Sequence, residues 1–178
     1  MDCSSLSTRS GGYPKFLAQG FNDNFLPVWL QDGGYNTYYT GKLFNAHGRE
    51  NYDTFVNGFT GSDFSMDPNT YIYLEPVYQR NRDPPVDYTG RHTLDVLQEK
   101  AYGFLEDGLA GDRPFFLGIA PVAPHSNIEL LRDGVINDTA AFRFTAPVPL
   151  DRHKHLFKDV KVPRSESFNS DEVSCVSS

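Results

Sequence analysis

The sequence predicts an α/β protein built on a mostly parallel sheet flanked by helices. Two helix-strand units carry that prediction, one over residues 25–42 and one over residues 93–125. In each, helical spacing of apolar residues gives way to a strand pattern that ends at a polar side chain, Lys42 in the first unit and His125 in the second. A third observation is composition: 14 Phe and 10 Tyr stand beside 15 Gly and 12 Pro, which points to many turns around aromatic packing and away from a helical bundle.

Taken in order, residues 1–12 are Ser-rich, end in Gly11-Gly12 and read as a flexible lead-in. The stretch from Tyr13 to Asn22 reads as irregular. Phe25–Asp32 is expected to be a helix, capped by Asn24 or Asp23, with Pro27 in its first turn and a buried stripe of Leu26, Trp29 and Leu30. Gly33-Gly34 would stop that helix in a left-handed cap. A strand follows over Gly34–Lys42, since Tyr and Thr suit a pleated surface. Gly41 would let the backbone turn close to a ligand.

Residues Phe44–Thr70 are rich in Asn, Gly, Asp and aromatics and read as an excursion over the carboxyl edge of the sheet. Asn45, Asp63 and Asp67 offer oxygen ligands there, but their spacing matches no calcium loop. Thr70–Leu74 and Val77–Gln79 suggest a short hairpin or an edge strand, and Asn81–Pro85 a turn. Thr93–Leu105 has apolar positions at 94, 97, 101, 104 and 105, a helical stripe with Thr93 as its cap. Pro114–Ala120 is a continuous apolar run, expected to be a strand covered on both faces. His153 and His155 belong to a basic cluster read as loop, and residues 165–178 form a Ser-rich tail expected to fray.

Composition excludes some partners. Hydrophobic residues at 39% and charged residues at 22% are near globular norms. A net charge of -7 argues against a nucleic-acid partner, which would meet a basic face. No apolar run is long enough to span a bilayer, so no membrane partner is expected. Cys3 and Cys175 make neither a disulfide scaffold nor a metal knuckle, and are not expected to pair. Met1–Ser7 has neither the basic start nor the apolar core of a secretory signal, while Asn137-Asp138-Thr139 is a glycosylation sequon at Asn137.

The two polar strand ends are the candidate site. Open α/β sheets bind ligands beyond the carboxyl ends of their strands. A flexible ammonium such as Lys42 suits a sulfate or phosphate oxygen. The imidazole of His125 can donate to an anionic oxygen or protonate a leaving group. Each residue alone also fits a plain solvated loop position; it is their equivalent places in two units that join them.

Gly34-Tyr35-Asn36-Thr37-Tyr38-Tyr39-Thr40-Gly41-Lys42-Leu43-Phe44-Asn45 resembles the lysine motif of the sulfatases, and Ala120-Pro121-Val122-Ala123-Pro124-His125-Ser126-Asn127 is similar to their histidine motif. Arg152–Phe157 and Lys161–Asn169 continue the likeness to the branch of fungal arylsulfatases and glucosamine sulfatases. The resemblance implies an alkaline-phosphatase-like α/β fold and a sulfuric ester hydrolase acting on an aryl or sugar sulfate. It implies Lys42 bridging sulfate and nucleophile, His125 beside the leaving oxygen, and a secreted, lysosomal or vacuolar place. It also implies calcium and a formylglycine made from the cysteine of a C-x-P-S-R motif. Here the sequence departs: Cys3-Ser4-Ser5-Leu6-Ser7 lacks the proline and arginine, so formylglycine is absent, and no calcium ligands match. The expectation is therefore a partial sulfatase fold, incomplete at both ends. Residues 13–164 form its interior part, with no metal site and no activity alone. The alternatives are an anion- or carbohydrate-binding remnant without catalysis, and a phosphatase relative of the same fold.

Overall fold

Strand β1 (Asn36–Gly41) organises the sheet. It runs parallel to β5 (Phe115–Ala120) on one side and to β2 (Gly61–Ser65) on the other. Beyond β2 lie β3 (Val77–Arg80), antiparallel to it, and β4 (Val86–Asp87), antiparallel to β3, giving the order β4-β3-β2-β1-β5. The result is a mixed α/β fold with a mostly parallel central sheet. The computed structural model describes residues 11–130, 142–165 and 168. Cys3, Cys175, the sequon at Asn137, residues 1–10 of the lead-in and nearly all of the tail lie outside the described residues. The chain divides into two compact units, Met1–Val148 and Pro149–Ser178.

Side chains alternate across β1 and so reach both layers. Tyr38 packs on Phe104 of helix α3 (Thr93–Ala110), ring centroids 5.5 Å apart. Tyr39 points the other way, onto Phe59 and Phe64 at 5.7 and 5.9 Å. Phe64, Met66 and Val77 form the buried cluster on that second face, with Tyr39, Leu43, Tyr52, Val56 and Phe59 packed around it. A hairpin of β6 (Asn127–Leu130) and β7 (Phe142–Thr145) stands as a separate two-stranded sheet.

Several local expectations change. Residues Gly12–Ala18 form helix α1 where an irregular stretch was expected; Tyr13 anchors it, fully buried and stacked on Phe44. Helix α2 (Leu26–Asp32) starts without a side-chain cap, because Asn24 Oδ1 accepts instead from the Trp29 indole N–H at 2.7 Å. The expected buried stripe of α2 fails too: Leu26 and Trp29 are half exposed and Pro27 is the buried residue. Strand β2 was hidden in the expected excursion. Gly-Ser-Asp-Phe-Ser has no strand-like hydrophobic run, yet every residue of it is buried between β1 and β3.

The expected hairpin also shifts. Asn69–Tyr71 is a single 3-10 turn, and the true hairpin joins β3 to β4 across Asn81–Pro85. Helix α3 runs one turn past Leu105 to Ala110, and its cap is the His92 ring, which accepts from the Leu94 N–H, not Thr93. Strand β5 stands at the edge of the sheet, with α3 against one face and Ile119 half exposed, so it is not covered on both sides among the described residues. Among the described residues no helix is long and apolar enough to cross a membrane. In the second unit, Asp151–His153 is a 3-10 turn and His153 and His155 are exposed.

Candidate active site at the carboxyl edge of the sheet

Because β1 and β5 are adjacent and parallel, the segments that leave their carboxyl ends start side by side. Gly41 faces Ala120 across the ladder, and the Lys42 N–H extends it by donating to the Ala120 carbonyl at 3.0 Å. Gly41 has φ +103, and a Cβ there would lie 2.0 Å from the Ala120 oxygen. The glycine is thus required by the neighbouring strand and not by a ligand, as the sequence had suggested. The Tyr39 hydroxyl donates to the Lys42 carbonyl at 2.8 Å, which fixes the backbone from a second side.

The loop bearing His125 is held as firmly. Its N–H donates to the Val122 carbonyl at 2.9 Å and its carbonyl accepts from the Tyr73 hydroxyl at 2.8 Å. Asn127, buried, accepts from the Tyr73 N–H and donates to the Thr145 hydroxyl, tying the loop to the segment after β2 and to β7. His125 Nδ1 lies 2.8 Å from the Ser126 carbonyl oxygen. A carbonyl only accepts, so Nδ1 carries the hydrogen and Nε2 is left for a ligand.

Tyr71, which the sequence reading had placed in a strand and given no role, joins the two. The Lys42 ammonium lies 4.3 Å from the centroid of its ring, and the His125 ring lies 4.4 Å from it at a tilt of 37°. The Tyr71 hydroxyl donates to Asn45 Oδ1 at 3.1 Å. Asp67, expected from the sequence only as an oxygen ligand, stands beside Lys42. Its Oδ2 accepts from the Ala46 N–H, and its Oδ1 stands 3.8 Å from Lys42 Nζ, beyond hydrogen-bond reach. Lys42 Nζ and Asp67 Oδ1 are both shielded from solvent and both lack a hydrogen-bond partner. Nothing in the spacing pointed to Tyr71, and no sequence feature showed that Asp67 would meet Lys42.

Of the oxygen ligands read from the sequence, Asn45 and Asp67 both lie by the Lys42 loop, whereas Asp63 is engaged inside the fold. Asp63 is fully buried on β2, accepts from Lys100 of α3 at 2.8 Å and has Arg80 at 3.7 Å. Burial pushes its carboxyl up from the ordinary range, and the two cations pull it back. Asn45 is committed to Tyr71, and Asp67 to Ala46. Among the described residues no group of three His, Cys, Asp or Glu stands together that could hold a metal ion.

Comparison with known proteins gives the class. The Sulfatase family model matches residues 6–145, and the chain belongs to the sulfatase family. Among curated proteins it is similar to an arylsulfatase of Volvox carteri, 38% identical over 157 residues, which cover 88% of this chain and 24% of that one. It is also similar to a sulfatase of Metarhizium majus (strain ARSEF 297), 35% identical over 111 residues, 62% of this chain and 24% of that one. The chain thus spans about a quarter of the length of the curated relatives it matches. Among solved structures, BT4656 in complex with its substrate D-glucosamine-2-N,6-O-disulfate overlaps 56% of this chain and 18% of that chain, with TM-score 0.43 and 24% identity.

Proposed function

We propose that this chain supplies the sulfate-binding and leaving-group side of an arylsulfatase-like sulfuric ester hydrolase. The observation that supports this most is the Lys42 ammonium: shielded from water, without a hydrogen-bond partner, and held on the same ring as His125. A buried ammonium with unused donors is costly unless an anion completes it. A sulfate ester would do so, one oxygen accepting from Lys42. The ester oxygen would then lie toward His125 Nε2. When a nucleophile supplied from outside the residues named here bonds to sulfur, the S–O bond would break, its electron pair would go to that ester oxygen, and the protonated imidazole would deliver a proton there. Fixed positive charge and a donor at the developing negative charge are what such a reaction needs.

The nucleophile is not supplied by the residues named here. Cys3 lacks the proline and arginine of the formylglycine signature, so residues 13–164 are read as the part of a sulfatase domain that binds and orients the ester without attacking sulfur. The substrate is an aryl or sugar sulfate. The test uses the purified chain, co-expressed with the formylglycine-generating enzyme and assayed with a chromogenic aryl sulfate. Saturable binding lost in Lys42→Ala, without turnover, is the expected result. Calcium-dependent turnover that Lys42→Ala abolishes would overturn the assignment of a binding-only role, and equal binding by Lys42→Ala would overturn the site.

A further inference from the structure

We propose that Tyr71 is the positioning residue of this site: its ring holds the Lys42 ammonium by a cation–π contact that leaves the ammonium's N–H donors free for the sulfate. The inference rests on the reading of Lys42 as the sulfate-binding group. A buried lysine is ordinarily fixed by a carboxylate, which neutralises it and occupies its hydrogens. Here the carboxylate stops at 3.8 Å and the aromatic face stands at 4.3 Å. An aromatic quadrupole attracts a cation through its face and accepts no conventional hydrogen bond, so charge and donors both remain available.

The same ring sets the second group. His125 lies against it at 4.4 Å, and the Ser126 carbonyl beside Nδ1 leaves Nε2 as the outward nitrogen. One side chain therefore fixes the separation between the group that binds the anion and the group that attends the leaving oxygen. Tyr71 is itself placed by the turn it ends: the Thr70 N–H donates to Met66, the Ile72 N–H to Asn69, and the Asn69 amide to the Glu75 carbonyl. Its hydroxyl reaches Asn45, three residues past Lys42, and so braces the lysine loop as well. The ring carries the proposed role and the hydroxyl is secondary.

The experiment measures binding of inorganic sulfate to the full chain by NMR, following the His125 Cε1–H and Lys42 Cε–H resonances. Tyr71→Phe keeps the ring and should bind within about twofold of the parent. Tyr71→Leu should bind about 5- to 30-fold more weakly, the range that a cation–π contact of ~1–2 kcal/mol represents. Replacing Tyr71 with phenylalanine carrying one, two and three fluorines drains the ring face at nearly constant size. Sulfate affinity should then fall stepwise, a graded loss that a packing role would not give and that does not depend on Tyr71→Leu folding. A flat fluorine series, with Lys42→Met still abolishing binding, would overturn the role of Tyr71 and leave the sulfate site standing. Lys42→Met binding as tightly as the parent, or no binding by the parent chain, would overturn both.

Discussion

The sheet carries two lysine–aspartate pairs that share a sequence language and differ in physics. On the α3 face, Lys100 donates to Asp63 at 2.8 Å and to the Tyr88 hydroxyl at 3.1 Å, with Arg80 adding a second cation to the same carboxylate. At the carboxyl edge, Lys42 and Asp67 stand 3.8 Å apart with no hydrogen bond between them, and an aromatic ring occupies the place of a partner. The first pair is joined by a hydrogen bond, although Asp63 Oδ1 has no partner among the described residues, whereas the second pair has no hydrogen bond of its own. Polar groups that a fold buries and does not complete are where ligand chemistry is to be sought.

The largest test of that contrast removes one partner from the satisfied pair. Asp63→Ala leaves the Lys100 ammonium, only 11% exposed, with the Tyr88 hydroxyl as its hydrogen-bond partner and the Tyr78 and Tyr88 rings beside it, but with no carboxylate. Stranding a buried charge in this way costs ~3–5 kcal/mol. Urea unfolding should show the loss directly. A change below ~1 kcal/mol would mean that Lys100 swings out to water, and the two pairs would no longer differ in kind.

Both pairs were partly hidden in the sequence, for different reasons. Lys42 and His125 were legible because strand patterns end at them and because parallel strands bring such ends together. Lys100 was covered by its helix, where the stripe at 97, 101 and 104 marks the core and says nothing of a buried salt bridge. Asp63 was obscured because β2 has almost no intrinsic strand preference: its conformation comes from ladders on both sides, a tertiary effect. Tyr71 and Asp67 reach the site through long-range packing of a single turn. The exposure of Leu26 and Trp29 was missed because helical spacing shows that a face is apolar, not that something covers it.

His47 sharpens the contrast, being another buried group with an unpartnered atom but one that escapes its charge. Its ring is 2% exposed, packed 4.2 Å from Tyr13 and 5.4 Å from Phe64, and Nδ1 has no hydrogen bond. Burial lowers its pKa from 6.5 to about 4. The unfolded chain therefore takes up this proton below pH 6.5, and the folded one only near pH 4. Stability should fall as pH drops through that window, by about 3 kcal/mol in all, and level off below it. In His47→Phe that component of the acid loss should vanish from thermal melts. An unchanged pH profile would show that the ring finds a proton acceptor in the folded state.

Lys42 should behave in the opposite way to Lys100, with little effect on folding and a large one on chemistry. Lys42→Ala breaks no hydrogen bond of the side chain, so unfolding should change by about 1 kcal/mol or less. In a complete sulfatase carrying this same stretch, the substitution should cut aryl sulfate turnover ~100-fold or more, the usual cost of losing a fixed charge aimed at the reacting group. Turnover within about threefold of the parent would make Lys42 a bystander and end the comparison.

The smallest effect is also the most discriminating, because its sign is at stake. Asp67→Asn keeps an amide oxygen to accept from the Ala46 N–H and deletes the negative charge 3.8 Å from Lys42. That carboxylate competes with an incoming anion for the ammonium. For a partly exposed pair without a hydrogen bond the attraction is about 1 kcal/mol, or roughly a fivefold change in affinity. If the Tyr71 ring already holds Lys42 in place, losing Asp67 removes only the competitor, and sulfate should bind about fivefold tighter with stability nearly unchanged. If the carboxylate is what positions the lysine, the same substitution lets the ammonium wander and binding weakens. Isothermal titration with inorganic sulfate separates the two outcomes. Weaker binding would place Lys42 with Lys100, as a lysine held by its aspartate. Tighter binding would mark the edge pair as two charges that the fold holds near each other but too far apart for the carboxylate to neutralise the ammonium.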